Sequence, residues 1–252
     1  MIELDIDKQI ATVTLNHPPV NALSDTMTER LDEILDEVEA NKDISVLHLR
    51  SNLKVFCAGA DLAMMRELLA TAAGCDRMIE IVRNIQHVFF RLEKAGVVSV
   101  AELSGAALGG GLELALACDL RIAANEAKLG LPEANLGLLP AAGGTQRMPR
   151  IVGEAVARRL ILGAEVVDGV EAARIGLVHW SVPRAELPAY TAQQVQRLAG
   201  LPAAALAANK RCLAAALDDS INGYELELTE TRQLHDNAET KRRIKAFLEK
   251  SK

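Results

Sequence analysis

Glu113 lies in LGGGLELALACD (residues 108–119), two positions past three consecutive glycines, inside a run that is otherwise apolar until Asp119. Glu133 follows a proline in LGLPEANLG (129–137). Two carboxyls facing one reacting molecule can take a proton at one atom and deliver one at another. Each also has a structural explanation. A carboxylate in the first turn of a helix favours the macrodipole by about 0.3 to 1 kcal/mol, and Pro132 suits a first helical position. The glycines add a second kind of chemistry. A buried strand, then Gly105, Gly109, Gly110 and Gly111, then a helix, is a place where backbone approaches a ligand closely and N–H groups point outward toward negative charge. The spacing excludes a G-x-G-x-x-G turn, a P-loop lysine and a G-x-S-x-G elbow, so neither a dinucleotide turn nor a serine hydrolase is expected.

The elements that must hold these residues are legible from periodicity. Ile10–Leu15 and 44–49 read as strands. Between them Ser24 caps a helix whose Met27, Leu31, Ile34, Leu35 and Val38 share one face. A loop, SNLKVFCAGADL, leads into a helical region over 63–94 with a break expected near Gly74, and a fully buried strand over 97–103 runs into the glycines. A helix over 111–118 leads away from them and the strand-like DLRIAA leads back by a comparable distance, so both carboxyls can meet over one cavity. Strand and helix alternate over the first 180 residues, which predicts an α/β fold. Past Pro183 the strands stop; from about Leu187 the sequence is helical and alanine-rich, and it closes on a charged amphipathic segment, 239–252. The expected division is a core over 1–186 and a helical region over 187–252.

Composition narrows the function. The chain has 252 residues, a formal net charge of −6 and 50% hydrophobic but only 3% aromatic residues. That balance argues against broad nucleic-acid or anionic-membrane binding and for a small-molecule or protein partner. Cys57, Cys75, Cys118 and Cys212 are scattered, without a CxxC, and read as reduced structural thiols of a cytoplasmic protein. The first residues show neither a basic n-region nor an Arg/Ser-rich pattern. Glu102 and Glu113 interrupt the longest apolar run, so no membrane span is expected. The histidines His17, His48, His87, His179 and His235 lack HxxxH or HExxH spacing, and Asp61 and Asp119 read as turn or cap residues, so no metal is expected. Arg147, in GGTQRMPR, reads equally as a surface or intersubunit charge and stays outside the catalytic set.

FCAGADL (56–62), SGAALGGGLELALACDLRIAA (104–124), LGLPEANLGLLPAAGGTQRMPRIVG (129–153) and RLILGAEVVDGVEAARIGLVHWSVP (159–183) resemble the crotonase, or enoyl-CoA hydratase/isomerase, superfamily, in order and spacing across nearly the whole chain. The resemblance implies a spiral core of repeated ββα turns followed by C-terminal helices that build a homotrimer, or a homohexamer as a dimer of trimers. It implies that the Ala60 and Gly110 amides form an oxyanion hole for a thioester carbonyl. It makes Glu113 and Glu133 the acids of an enoyl-CoA hydratase, which hold one water for syn addition to a trans-2-enoyl-CoA. It implies no cofactor: coenzyme A is the carrier of the substrate, its adenine met by backbone around Ala58, Ala60 and Leu62. NHPPVNAL departs from the family's NRPKALNAL, losing a lysine available to the phosphates, for which Lys241, Arg242 and Lys245 are candidates. Met64, Met65, Leu68 and Leu69 are the candidate acyl pocket, although methionine and leucine at this spacing also suit ordinary core. Three other readings stay open: isomerisation or hydration of branched or aromatic acyl groups; a non-catalytic binding protein on this fold, with RNA binding as its extreme; and a plain structural domain.

Overall fold

The computed structural model describes residues 2–250, with Lys250 placed by its backbone alone. Nine strands are present among the described residues: β1 (Ile2–Asp7), β2 (Ile10–Leu15), β3 (Val46–Ser51), β4 (Val98–Leu103), β5 (Ala107–Leu108), β6 (Leu120–Ala124), β7 (Lys128–Gly130), β8 (Val166–Asp168) and β9 (Trp180–Val182). Eleven α-helices connect and follow them: α1 (Asp25–Ala40), α2 (Leu62–Leu68), α3 (Ala72–Lys94), α4 (Gly110–Leu116), α5 (Gly144–Val152), α6 (Glu154–Leu162), α7 (Gly169–Arg174), α8 (Leu187–Ala199), α9 (Ala203–Ala215), α10 (Gly223–Asp236) and α11 (Ala238–Lys250). A 3-10 helix spans Pro132–Leu136.

The larger sheet runs β1-β2-β3-β4-β6-β9, antiparallel only between β1 and β2. The smaller runs β5-β7-β8. Their relation is a spiral. β4 is followed by β5 and β6 by β7, so each turn leaves one strand in each layer before a helix returns the chain. Isolated bridges extend the second layer back to earlier turns, pairing Leu23 with Ala60 and Cys57 with Ala107. Parallel strands need such crossovers, and the helices cover the faces of the larger sheet. Consistent with that, every residue of β4 is buried.

Sequence signals account for several elements directly. Ser24 Oγ accepts the Met27 amide at 3.3 Å, and Met27, Leu31, Ile34, Leu35 and Val38 are all buried in the core. The break in the 63–94 region falls at 69–71, before Gly74. Thr71 Oγ1 accepts the Gly74 amide at 3.0 Å and starts α3, while Gly74 lies inside that helix where a Cβ would run into the Leu68 carbonyl. The glycine serves a close approach between two helices; the threonine makes the boundary.

No strand follows β9 among the described residues. α8 packs on β2, β3, β4 and β6 and contributes Leu187, Val195 and Leu198 to the core. α9 is held to the sheet's edge by Lys210, whose Nζ donates to Asp119 Oδ2 at 2.7 Å and to the Val97 carbonyl at 3.0 Å. α10 and α11 extend from it, and Leu213, Leu228 and Phe247 on these last helices, with Leu217 just past α9, are exposed. No helix is long and apolar enough to cross a membrane among the described residues.

Candidate active site

The second layer of the spiral brings four short stretches of three successive turns together. Gly59 has φ +91°, and a Cβ built on it would lie 2.9 Å from the Leu108 carbonyl oxygen and 3.3 Å from the Gly110 amide nitrogen. The 58–60 loop and the start of α4 therefore touch through backbone. Among the described residues, neither the Ala60 nor the Gly110 amide has an intramolecular acceptor. Both belong to buried or half-buried residues, and Gly110 opens a helix, where such donors are left over by geometry.

Gly109 caps α4 at φ +53°, a conformation that favours glycine, and its missing side chain has a second consequence. A Cβ there would lie 2.9 Å from Glu133 Oε1, so the carboxyl of the 3-10 helix rests directly against the turn before α4. Pro132 opens the helix at Glu133, the position the sequence suggests, and the helix is of 3-10 form; Gly137, in the left-handed region at φ +70°, ends it within five residues. Glu133 Oε2 is buried and has no hydrogen-bond partner among the described residues. Burial pushes the Glu133 carboxyl above the usual carboxylate range.

Glu113, one turn into α4, is only 2% exposed. Its Oε1 accepts the Gly144 amide at 2.7 Å, from the first residue of α5. Burial pushes its pKa up to about 7; the amides of Gly144 and Ala142 and the Arg147 charge pull it down, and the Glu133 carboxyl adds to the rise. The two acids thus feel each other across one site, and that electrostatic contact exists because the spiral stacks the β4 to α4 turn on the β6 to β7 turn. Arg121, 3% exposed, braces α4 from its far end: Nη1 donates to the Cys118 carbonyl at 2.8 Å and Nε to the Leu177 carbonyl at 2.8 Å.

The raised Glu113 carboxyl makes a stability prediction with a definite sign. An unfolded glutamate titrates near 4.5, whereas the folded one holds its proton up to about 7. Between those values the native state binds more protons than the unfolded chain, so stability falls as pH rises through the window. At about 1.4 kcal/mol per unit this is on the order of 3 kcal/mol. Glu113→Gln keeps the shape and an acceptor for Gly144 without the buried charge. It is expected to unfold at a higher temperature than the wild type at pH 8, by roughly 5 °C or more, with most of that advantage gone at pH 5. Equal midpoints at pH 8 would remove the buried-charge account.

Of the other residues singled out from sequence, Ala58 donates its amide to the Val20 carbonyl at 3.1 Å, and Leu62 is exposed at the start of α2. Met64, Met65 and Leu68 lie on α2, half-buried against the core, and Leu69 follows it half-exposed. Asp61 caps α2 through the Ala63 and Met64 amides, at 2.9 and 3.1 Å. Arg242 is bonded to Glu239 at 2.6 and 2.7 Å, and Lys245 lies 3.9 Å from Glu249. Cys57 and Cys118 are free, and burial pushes both thiols up to about 12, which leaves them inert. No cluster of three or more potential metal-ligating side chains occurs among the described residues. Of the two sequence readings of Arg147, surface or intersubunit charge, the surface one is corrected, for the residue is 9% exposed and bonded inside the fold. Gly144 was not singled out at all; nothing in GGTQ marks one glycine amide as the partner of a carboxyl 31 residues away.

The sequence profile of the enoyl-CoA hydratase/isomerase family matches residues 5–252. A probable enoyl-CoA hydratase of Bacillus subtilis is 36% identical over 259 aligned residues, which cover 100% of this chain and 96% of that one. The crystal structure of an enoyl-CoA hydratase from Bacillus anthracis superposes with a TM-score of 0.92 at 31% identity, covering 99% and 96% of the two chains. DspI of Pseudomonas aeruginosa gives a TM-score of 0.92 at 35% identity, over 99% and 94%.

Proposed function

The chain belongs to the enoyl-CoA hydratase/isomerase family, and we propose on that footing that it is an enoyl-CoA hydratase adding water, syn, across a trans-2-enoyl-CoA to give the 3-hydroxyacyl-CoA. The observation that carries the choice of hydration is the pairing of the buried Glu113 with the half-buried Glu133, close enough for one to raise the other's pKa. Water addition needs a proton removed from oxygen and one delivered to carbon, and two acids of unequal environment supply both.

In this reading the reactive form of the pair has Glu113, held by Gly144, ionised so that it orients the water, while Glu133 carries the pair's proton. As the water oxygen bonds to the β carbon, its proton passes to Glu113 and the double-bond electrons move toward the thioester oxygen. The amides of Ala60 and Gly110 stabilise that developing oxyanion; their lack of an internal acceptor supports the assignment. Glu133 gives its proton to the α carbon as the electrons return. The pair begins and ends with one proton, so it titrates as a unit. No electron transfer occurs, and the only group beyond the chain is the coenzyme A that carries the acyl chain.

Backbone at Ala58, Ala60 and Leu62 is assigned to the coenzyme, and the α2 side, with Met64, Met65, Leu68 and Leu69, to the acyl tail, since α2 begins directly after the Ala60 loop. The exposed apolar side chains of α9 to α11 support a trimer or hexamer built through the region past 187, and four free thiols fit the cytoplasm. Turnover of trans-2-enoyl-CoA esters from four carbons upward, with hydration and double-bond migration scored separately, tests the activity. Hydration is expected to dominate, and migration without hydration would replace this reading by an isomerase. Light scattering at micromolar concentration that showed only monomer would remove the assembly.

A further inference from the structure

Arg147 makes an unusual set of bonds for a charge so far inside the fold. Its Nε and Nη2 donate to Glu93 Oε2, near the end of α3, at 3.0 and 2.7 Å. Its Nη1 donates to the Ala142 carbonyl at 3.1 Å. The guanidinium folds back over Gly143, the cap of α5 at φ +107°, where a Cβ would collide with it. The segment it grips, 142–144, carries the amide that holds Glu113. A single planar cation therefore ties α3 to the turn on which the Glu113 carboxyl leans, and lends that carboxyl a nearby full positive charge.

We propose that Arg147, anchored by Glu93, is a positioning residue for the hydration reaction, holding the 142–144 turn and its Gly144 amide against Glu113 and biasing Glu113 toward its ionised, proton-accepting form. This rests on the hydratase reading, in which Glu113 is the base. A buried acid that must act as a base near neutral pH needs its desolvation partly offset, and Arg147 does so without touching the substrate. Leaving this cation unpaired would be costly, which gives Glu93 its role on the other side.

Arg147 also borders a groove of about 1120 Å³ between α3, α5 and α9. Other ionisable groups line it: Arg83, His87 and Lys94 from α3, Arg150 from α5, and Asp218 and Asp219 from the loop after α9. Lys210 and Asp119, on the same groove, are already paired at 2.7 Å. His87→Gln serves as the control for that side chain.

The test compares wild type, Arg147→Gln, Arg147→Lys and Glu93→Gln in two measurements. The first is the pH dependence of kcat/KM for crotonyl-CoA hydration. The second is the pH dependence of the unfolding midpoint, each with and without Glu113→Gln, so that Glu113's own titration is read with no substrate present. Arg147→Gln is expected to raise the acidic limb of the rate profile and the Glu113 step in stability together, by roughly half a unit to one unit, and to lower kcat about tenfold with little change in KM. Arg147→Lys should keep the titration near its wild-type place yet recover only part of kcat, because an ammonium cannot span Glu93 and Ala142 in one plane. Glu93→Gln should lower kcat with the fold retained. A Glu113 step that stays put in Arg147→Gln, with or without a loss of kcat, overturns the proposal and leaves Arg147 a structural brace. A wild type that hydrates nothing sinks the hydratase reading instead, and the stability series still reports whether Arg147 sets the Glu113 titration.

Discussion

Glu113→Gln and Glu133→Gln are each expected to lower kcat for crotonyl-CoA hydration by about two to four orders of magnitude, the range over which a positioned acid or base contributes, and the double variant to be little worse than either single one. Groups that share one proton and one water lose their effect together. At position 113 the amide oxygen of glutamine can still accept the Gly144 N–H, so the fold and the helix start are preserved while proton exchange is lost. Affinity for the CoA ester should survive in all three variants, because neither carboxyl is asked to hold the coenzyme. A glutamate that merely suited a helix start would behave in the opposite way, costing at most about 1 kcal/mol of stability and leaving turnover near normal. Normal turnover in folded Glu113→Gln would return that residue to the helix and leave a single-acid enzyme relying on Glu133.

Gly110→Pro is expected to cut turnover by on the order of a hundredfold to a thousandfold, the cost of one oxyanion-hole donor. The substitution is chosen for where Gly110 lies. It is the first residue of α4, a position at which proline's fixed φ and missing N–H are tolerated, so the amide can be deleted without unwinding the helix. The new Cβ would meet Leu23 Cδ1 at 2.6 Å, the far end of a side chain that has to shift, and the thermal midpoint of the same preparation measures that cost separately. Gly110→Ala is the companion, since it brings the same Cβ and keeps the N–H. Large loss in Gly110→Pro with near-normal activity in Gly110→Ala would isolate the amide; full activity in a folded Gly110→Pro would end its role.

Much of the framework was legible before any coordinates, for reasons that differ from element to element. α1 follows from Ser24 and an apolar stripe at helical spacing, both local properties. The buried β4 follows from a mostly apolar, valine-rich run, and the end of the strands after β9 from the change to alanine-rich helical text. The helix break near Gly74 was misplaced because glycine is both a breaker and a residue of close approach, and only the Leu68 carbonyl beside it shows which. At Glu133 the sequence indicates a helix start and leaves its type open: proline followed by an acid starts either kind of helix, and what limits this one to 3-10 form is the left-handed Gly137 at its end.

The residue types needed for the chemistry, two glutamates and a glycine-lined turn, are properties of the chain alone, and so are their order and the elements that bear them. What they do to one another is not. Glu113 is driven to a pKa of about 7 by burial and by Glu133, 20 positions away along the chain, against the opposing pull of the Gly144 amide, 31 positions away. Arg147 reads equally as a surface or intersubunit charge in GGTQRMPR and is buried and bonded within the fold. Periodicity reports which face of an element avoids water, a local preference written into neighbouring residues. Desolvation and Coulomb energy depend on distances between turns of the spiral, and those exist only once the second layer has stacked Ala60, Gly109, Glu133 and Gly144 around a single site.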